Sequence, residues 1–409
     1  MYQEKYQFII WNYSILFLPF SIVIGSFILN LNLIIITVLF FINIFLNKEL
    51  RIYTKEKWFL VCCLYFLFQI FSSIINDANL DSIIRSVTFF KFFIFALSLK
   101  IILIFNKKSL LYFLKIIFIL IIILSVDGIY QYFFGKNLLG FEHDVGRVSG
   151  VFGNERILGS YLSKNLFIAL PFFFFLFRSS KYKYLFLTIY FSIIAFAILI
   201  SGERMAFLHF ILGLHLLFLF VSLKEFKKIL YLFSIYLIIL VFILLNDHVK
   251  KRVLSITHDQ YGISKNFNIK DSYWGAHYLT AYEIFKENPI FGIGPKNFRV
   301  ESCKDKYSSI DSKKAEHRCT THPHNIILEI LSEQGILGII LFSSILYFII
   351  RKQNLFEIVP VCFLVSLIIY VWPIGTSGSI FTTWNGIFLW INIGLLSYLK
   401  EDILNNFLK

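Results

Sequence analysis

Long apolar runs recur along almost the whole chain, and they constrain its fold more than any other feature. The runs have about 16 to 22 residues, the length that a helix needs to cross about 30 Å of hydrocarbon. Hydrophobic residues make up 58% of the sequence, and the mean hydropathy is +0.74, whereas a soluble protein is roughly half apolar. The sequence therefore predicts an all-α integral membrane protein.

The runs predict about twelve transmembrane helices. They lie near residues 9–29, 31–46, 59–76, 87–105, 109–126, 160–177, 184–200, 204–222, 229–246, 333–350, 356–373 and 379–398. We expect helices 1–9 with short loops in residues 1–246, a large outer loop in 247–332, and helices 10–12 with a short tail in 333–409. No cleavable signal peptide is predicted, because a second apolar run follows the first without a small-residue cleavage site.

Lysine and arginine cluster in the short turns between the runs, and this distribution predicts the orientation of the chain. With the N-terminus in the cytoplasm, every short basic turn and the C-terminus also lie inside. The outer face then receives residues 76–77, 127–159, 201–204, 247–325 and 375–378. The net charge of +14 comes from these separate clusters and not from one basic face, so no nucleic-acid partner is predicted.

The outer segment 247–325 is too long and too polar for a simple connection, and loops of that size usually form a lid or a binding surface. Its pattern predicts a helix at 272–287, a turn at Asn288-Pro289, a glycine-rich turn through Gly292 and Gly294, and a second helix starting near Pro323. We therefore look for functional residues here first.

Two of the five cysteines, Cys303 and Cys319, share the outer segment. In an oxidising compartment a disulfide between them would close a loop of about 17 residues and stabilise it by roughly 3 kcal/mol in the chain-entropy model. The alternative is a metal site, because three histidines lie near Cys319 in the sequence, at His317, His322 and His324. Their spacing matches no standard structural zinc signature, so we predict no metal.

The His-Pro-His-Asn sequence at 322–325 stands where the second helix should begin. A helix running on from it places Asn325, Glu329 and Glu333 on one face as a polar stripe. A histidine at such a boundary, such as His324, can act as a general base, since its unperturbed pKa of roughly 6.5 leaves a large neutral fraction near pH 7. A structural or interfacial role is the alternative.

Two arginines on the predicted outer face are candidates for anion binding. Arg204 follows Glu203 at the end of a hydrophobic span, where a guanidinium needs an anionic partner or a route to water. It either anchors the interface or clamps a phosphate bidentately. Arg147 lies in the glycine-punctuated stretch 146–154, which is either an anion-binding loop or an ordinary connector.

The Gly-Thr-Ser-Gly sequence at 375–378 resembles the glycine-flanked serine of intramembrane serine proteases, with His209 or His215 as conceivable partners. Because Ser377 falls in a turn, and no predicted geometry brings either histidine to it, we disfavour this function. The two histidines are expected to pack or to form hydrogen bonds inside the bundle.

Four elements, taken in this order, resemble the O-antigen ligase and O-antigen polymerase superfamily. They are residues 147–154, the Ser-Gly-Glu-Arg turn at 201–204, residues 287–294, and the His-Pro-His-Asn motif leading to Glu333-Gln334-Gly335. The resemblance covers residues 140 to 340. It implies a metal-independent, inverting glycosyltransferase without a cofactor, placed in the bacterial inner membrane with a periplasmic active face. Its donor would be a glycan on undecaprenyl pyrophosphate, held among membrane lipid.

The resemblance also implies roles for single residues. A histidine matching His324 would deprotonate the acceptor hydroxyl, and an arginine matching Arg204 would bind the pyrophosphate. Further substrate-binding residues are expected at Arg147, His322, Asn325 and Glu329. The chain departs from the family pattern in having Lys270, instead of an arginine, shortly before Trp274. Arg299 is therefore our candidate for the second phosphate clamp, with Lys270 behind it.

The function that we predict is O-antigen ligation, in which the glycan passes to lipid A-core. The alternative within the superfamily is a polymerase, whose acceptor is a growing polysaccharide that stays on a polyprenyl carrier. The proline between two histidines, the two loop cysteines and the single dominant outer loop favour the ligase. A transporter of lipid-linked glycans would show charges deep in the spans. Lys91, Lys100 and Lys115 instead lie near span ends, from which they can snorkel.

Overall fold

A computed structural model describes residues 2–76, 79–143, 147–220, 226–251, 268–351, 353–355 and 357–399. Several predicted features lie outside the described residues, namely Asp77, Gly146, part of the basic turn near Lys224, residues 252–267, Lys352 and the C-terminal tail. Within the described ranges the protein is built from helices and contains no β-strand. The predicted helical class is confirmed.

The described α-helices follow the predicted apolar runs closely. They are α1 (Tyr2–Ile24), α2 (Ser26–Leu46), α3 (Lys57–Ile75), α4 (Leu80–Thr88), α5 (Phe90–Phe105), α6 (Lys108–Phe134), α7 (Leu158–Leu176), α8 (Lys183–Ser201), α9 (Arg204–Phe220), α10 (Phe226–Leu245), α11 (Asp247–Lys250), α12 (Tyr273–Glu287), α13 (Phe298–Glu301), α14 (Ile326–Ile350), α15 (Ile358–Tyr370) and α16 (Thr383–Tyr398). Short 3-10 turns cover Lys48–Lys55, Gly150–Phe152, Ile269–Asp271, Asp305–Tyr307 and Ala315–His317.

Eight segments of the described chain are long and apolar enough to cross a membrane. They are Tyr6–Ile24, Ser26–Leu46, Lys57–Ile75, Leu80–Phe105, Lys108–Phe134, Leu158–Leu176, Lys183–Ser201 and Ile326–Ile350. The helices α9 and α15 are apolar but shorter. The chain is therefore a multi-pass membrane protein, while the number of twelve spans stays a prediction.

One lysine within the spans is satisfied inside the bundle and not at the membrane surface. Lys100 is 1% exposed, and its Nζ lies 2.6 Å from Oε1 of Glu56, the residue that precedes α3. The prediction that Lys100 snorkels is therefore wrong, because a carboxylate from a neighbouring turn reaches its ammonium group. Lys91 is partly buried, and its Nζ donates to Oδ1 of Asn30 at 2.7 Å.

The outer segment is joined to the membrane-spanning helix α14 through the backbone. The amide of Gly294 donates to the carbonyl of Glu333 at 2.8 Å, and the amide of Ile336 donates to the carbonyl of Pro289 at 2.8 Å. These bonds form because α14 is interrupted at Gly335, whose backbone has φ 64° and ψ −163°. The interruption releases helix carbonyl and amide groups to pair with the outer segment.

The side chain of Glu333 strengthens this junction. Its Oε2 accepts a hydrogen bond from the amide of Lys296 at 2.7 Å, and its Oε1 accepts one from the amide of Phe298 at 3.2 Å. Above the junction, α12 and α13 enclose a small hydrophobic core of their own. It contains Ala281, Ile284, Ile293, Phe298 and Tyr307. The outer segment therefore forms a packed layer on one end of the bundle.

Gly335→Ala should destabilise the protein for two reasons. The added Cβ would collide with the backbone carbonyl of Ile290, and the alanine would have to adopt the positive φ of this position. Strained backbone of this kind costs roughly 1–3 kcal/mol even without a collision. The midpoint of thermal unfolding in detergent measures the effect. Gly140→Ala is the matched control, since Gly140 also has a positive φ (86°) but faces open space. Equal losses of Tm in the two variants would contradict the role of the close approach.

Candidate active site

A cavity of about 540 Å³ lies where the outer segment meets the bundle. Its lining comes from four of the segments predicted to lie on the outer face. They are the turn before α7, the α8–α9 turn, the outer segment and the turn before α16. The charged and aromatic lining residues that matter below are Arg147, Arg156, Glu203, Arg204, Trp274, His322 and His324. His324 and Arg204 therefore border one cavity, as the sequence analysis predicts.

Glu203 is the acidic residue among three arginines in the cavity lining. Its Oε1 accepts a hydrogen bond from the amide of Gly159 at 2.6 Å, and its Oε2 accepts one from the amide of Ser160 at 3.1 Å, at the first turn of α7. Burial raises the pKa of Glu203 to about 7, although these two amides and the charge of Arg147 oppose the rise. Whatever the charge of Glu203, this wall of the cavity keeps an excess of positive charge, which suits a phosphate.

Arg147 is held against the bundle by its backbone neighbours. The amide of Val148 donates to the carbonyl of Ile200 at 3.2 Å, and Oε1 of Gln131 accepts from the amide of Gly150 at 2.7 Å. The buried Nε of Arg147 has no hydrogen-bond acceptor among the described residues. A donor in this state can be satisfied by an anion in the cavity.

The two histidines of the His-Pro-His-Asn motif rest on the turn that contains Ser377. The amide of Ser377 donates to the carbonyl of His324 at 2.8 Å, and Nε2 of His322 lies 3.1 Å from the carbonyl of Ser377. His324 has a positive φ of 59°, an uncommon conformation that these bonds stabilise. The glycine-flanked serine thus supports the histidines, while Nδ1 of His215 lies 2.8 Å from the carbonyl of Ile211 in its own helix.

Two rings of helix α12 pack against His324. The ring centroid of Trp274 lies 5.0 Å from that of His324, and the His277 ring stacks on His324 at 5.3 Å. His277 is itself held, since its Nε2 lies 2.9 Å from the carbonyl of His317. The sequence analysis predicted this helix at 272–287 but assigned no role to Trp274 or His277. Its contact with His324 depends on a fold that brings residues about fifty positions apart together.

The environment of the histidines keeps them neutral. Burial, together with the charges of His277 and Lys296, lowers the pKa of His324 to about 4, while a hydrogen bond with the backbone of Ser377 opposes the change. Burial likewise lowers the pKa of His322 to about 3. A neutral imidazole can accept a proton, and an anion bound in the cavity would raise its basicity by stabilising the imidazolium.

Two predicted substrate-binding residues have structural partners next to the cavity. Asn325 caps α14, since its Oδ1 accepts from the amide of Leu328 at 3.1 Å and its Nδ2 donates to the carbonyl of Pro373 at 2.7 Å. Glu329 is buried, and its Oε2 accepts from the amide of Ile380 at 3.1 Å. Neither side chain is part of the cavity lining. Both support the segments that carry the histidines.

The structure does not bring the candidates for the second phosphate clamp into the cavity. Arg299 pairs with partly buried Asp81 at 3.4 Å, and Lys270 pairs with Asp311 at 3.1 Å at an exposed position. Arg156 lines the cavity instead. The sequence analysis missed Arg156, although it belongs to the segment 127–159 that was predicted to lie on the outer face.

Cys303 and Cys319 are joined by a disulfide, with their Cα atoms 4.4 Å apart. Cys319 lies three residues before His322. The disulfide connects the segment that leads into the His-Pro-His-Asn motif to Cys303, just after the end of α13. It also occupies the sulfur of Cys319 that the alternative metal site would have used. Among the described residues, no group of three or more His, Cys, Asp or Glu side chains is arranged to hold a metal ion.

The cavity thus combines three arginines and two neutral histidines in one lining, at one end of a multi-pass helical bundle, and this combination suits an anionic ligand. Comparison with known families identifies the protein further. Residues 189–343 match the family model described as O-Antigen ligase. The match confirms, over this part of the chain, the resemblance seen in the sequence. No curated protein matches the chain.

The depressed histidine pKa values predict that stability falls in acid. As the pH falls through 6.5, the unfolded chain gains protons at His322 and His324, whereas the folded protein gains them only near pH 3 to 4. The unfolded state is therefore favoured progressively across this window. We expect the loss of Tm between pH 7 and pH 4.5 to be smaller in a His322→Gln/His324→Gln variant than in the wild type. His143→Gln, outside the cavity lining, is the control. Identical pH profiles in all three proteins would contradict the burial argument.

Proposed function

We propose that this protein is an O-antigen ligase-like glycosyltransferase, which moves a glycan from undecaprenyl pyrophosphate to lipid A-core on the periplasmic face of the bacterial inner membrane. The observation that carries the proposal is that Arg204 and His324 line one cavity, with Arg147 and Arg156 beside them. The O-Antigen ligase match over residues 189–343 supports it.

In the proposed reaction, the acceptor hydroxyl oxygen attacks the anomeric carbon of the donor sugar from the side opposite the pyrophosphate. A new carbon–oxygen bond forms, and the hydroxyl proton passes to the imidazole of His324. The bond between the anomeric carbon and the pyrophosphate oxygen breaks, and its electron pair remains on the pyrophosphate. Attack from the opposite side inverts the anomeric configuration.

The arginines have a defined task in this reaction. The leaving group gains a negative charge as the bond breaks, and preorganised guanidinium groups stabilise that charge in a site shielded from water. Because the pyrophosphate is a good leaving group when it is bound in this way, the proposal requires neither a metal ion nor a cofactor. Either lipid A-core or a polyprenyl-linked polysaccharide could supply the hydroxyl, so the acceptor distinguishes the ligase from the polymerase.

His324→Ala should lower the rate of glycan transfer at least about 100-fold, the effect expected when a general base is lost. Arg204→Ala should cause a loss of similar size. Transfer is measured in membranes from cells lacking the native gene, with protein abundance determined in parallel. Arg299→Ala is the control for a lost guanidinium, since Arg299 pairs with Asp81 away from the cavity. A His324→Ala variant that transfers glycan at the wild-type rate would refute the general base.

Deletion of the gene separates the two acceptors. A ligase defect leaves surface lipopolysaccharide without long chains while polymer accumulates on the lipid carrier. A polymerase defect leaves a single repeat unit attached to the core. We expect the first pattern, and the second would identify the protein as a polymerase.

A further inference from the structure

Lys164 lies in α7, one helical turn further into the bundle than Ser160, which lines the cavity. Its Nζ donates a hydrogen bond to Oδ1 of Asn385 at 2.8 Å, and Asn385 is itself part of the cavity lining. The side chain is partly exposed, although its neighbours Ser163 and Asn165 are at most 1% exposed. Lys164 is not itself part of the cavity lining, and Asn385 is the residue that connects it to the cavity.

Aromatic rings form the rest of the surroundings of this ammonium group. Its Nζ lies 5.0 Å from the ring centroid of Trp384, 5.1 Å from that of Phe388 and 5.8 Å from that of Tyr370. Such contacts attract a cation but do not neutralise it. Among the described residues, no carboxylate lies within ion-pair distance of Nζ, and Glu203 acts on it only from further away.

A cation without a neutralising partner costs free energy within a membrane protein. Such a residue therefore indicates a functional site. Lys100 shows the structural alternative, because a carboxylate of Glu56 neutralises it directly. Lys164 has no such neighbour and adjoins a cavity that already carries three arginines. The missing counter-charge is therefore best supplied by an anion that enters the cavity.

We propose that Lys164 is a further binding residue for the pyrophosphate group, beside the part of the cavity that Asn385 lines. Asn385 is its positioning residue. The carbonyl of Asn385 accepts from the hydroxyl of Tyr370 at 2.9 Å, and its side chain holds Nζ of Lys164 at the cavity edge. When the bond to the anomeric carbon breaks, the electron pair stays on the pyrophosphate oxygen, and the Lys164 ammonium stabilises the added charge. That the pyrophosphate belongs to a lipid-linked glycan rests on the proposed function.

The test uses the full-length protein in lipid nanodiscs, with inorganic pyrophosphate as the probe and calorimetry as the readout. Lys164→Gln should raise the Kd at least about tenfold, in keeping with the loss of a hydrogen bond from a charged donor. Lys91→Gln is the matched control, since Lys91 also donates to an asparagine Oδ1 and lies 5.4 Å from the ring centroid of Phe92, but its partners Asn30 and Thr383 are outside the cavity lining, whereas Asn385 is part of it. Its Kd should stay within about twofold of the wild type.

A second variant keeps the proposal testable if Lys164→Gln does not fold. Asn385→Asp retains the shape of the side chain and places a carboxylate beside Nζ, so it should weaken pyrophosphate binding as well. A wild-type Kd in either folded variant overturns the proposal.

Glycan transfer with the lipid-linked donor separates this proposal from the proposed function. Slower transfer by Lys164→Gln, with an unchanged rate for Lys91→Gln, supports both. Wild-type rates in Lys164→Gln overturn only the role of Lys164. If the wild-type protein binds pyrophosphate through Lys164 but transfers no glycan, the proposed function fails and the anion site stands.

Discussion

The carboxylate of Glu333 joins the outer segment to a membrane-spanning helix, and the positions of the two histidines depend on that junction. It accepts hydrogen bonds from the amides of Lys296 and Phe298, next to the interruption of the helix at Gly335. Lys296 continues the connection, since its Nζ donates to Oγ of Ser379 at 2.9 Å. Ser379 belongs to the same turn as Ser377, on which the histidines rest. A chain of polar contacts inside the protein thus fixes the site relative to helix α14.

The site separates two kinds of group that the proposed reaction needs at the same time. Arginines gather on the wall formed by α7 and α9, where a phosphate can neutralise them. The histidines belong to a different segment of the lining, the His-Pro-His-Asn motif, where burial keeps His324 neutral in the absence of a bound anion. An arginine placed directly beside the imidazole would lower the pKa of that imidazole further and make it a weaker base. The separation therefore allows one cavity to bind a charged leaving group and to deprotonate a neutral acceptor.

Sequence reasoning predicted the helices and the shared face of Arg204 and His324, because the length of an apolar run and the distribution of basic turns are local properties. It named Arg147 and Arg204 as anion-binding candidates, but it did not predict that Arg156 lines the same cavity and that Arg299 does not. Arg299 comes shortly after the family element at residues 287–294. It nevertheless pairs with Asp81, which lies more than two hundred positions away in the sequence. Lys164 was missed for a similar reason, since a single lysine in an apolar run does not reveal that Asn385 and three rings surround it.

An experimental structure of the full chain in nanodiscs, with an undecaprenyl-pyrophosphate-linked glycan bound, tests the central claim most directly. The account predicts that the pyrophosphate contacts the guanidinium of Arg204 and that the first sugar faces the imidazole of His324. A pyrophosphate bound elsewhere, with either of these side chains out of reach of the donor, would contradict it.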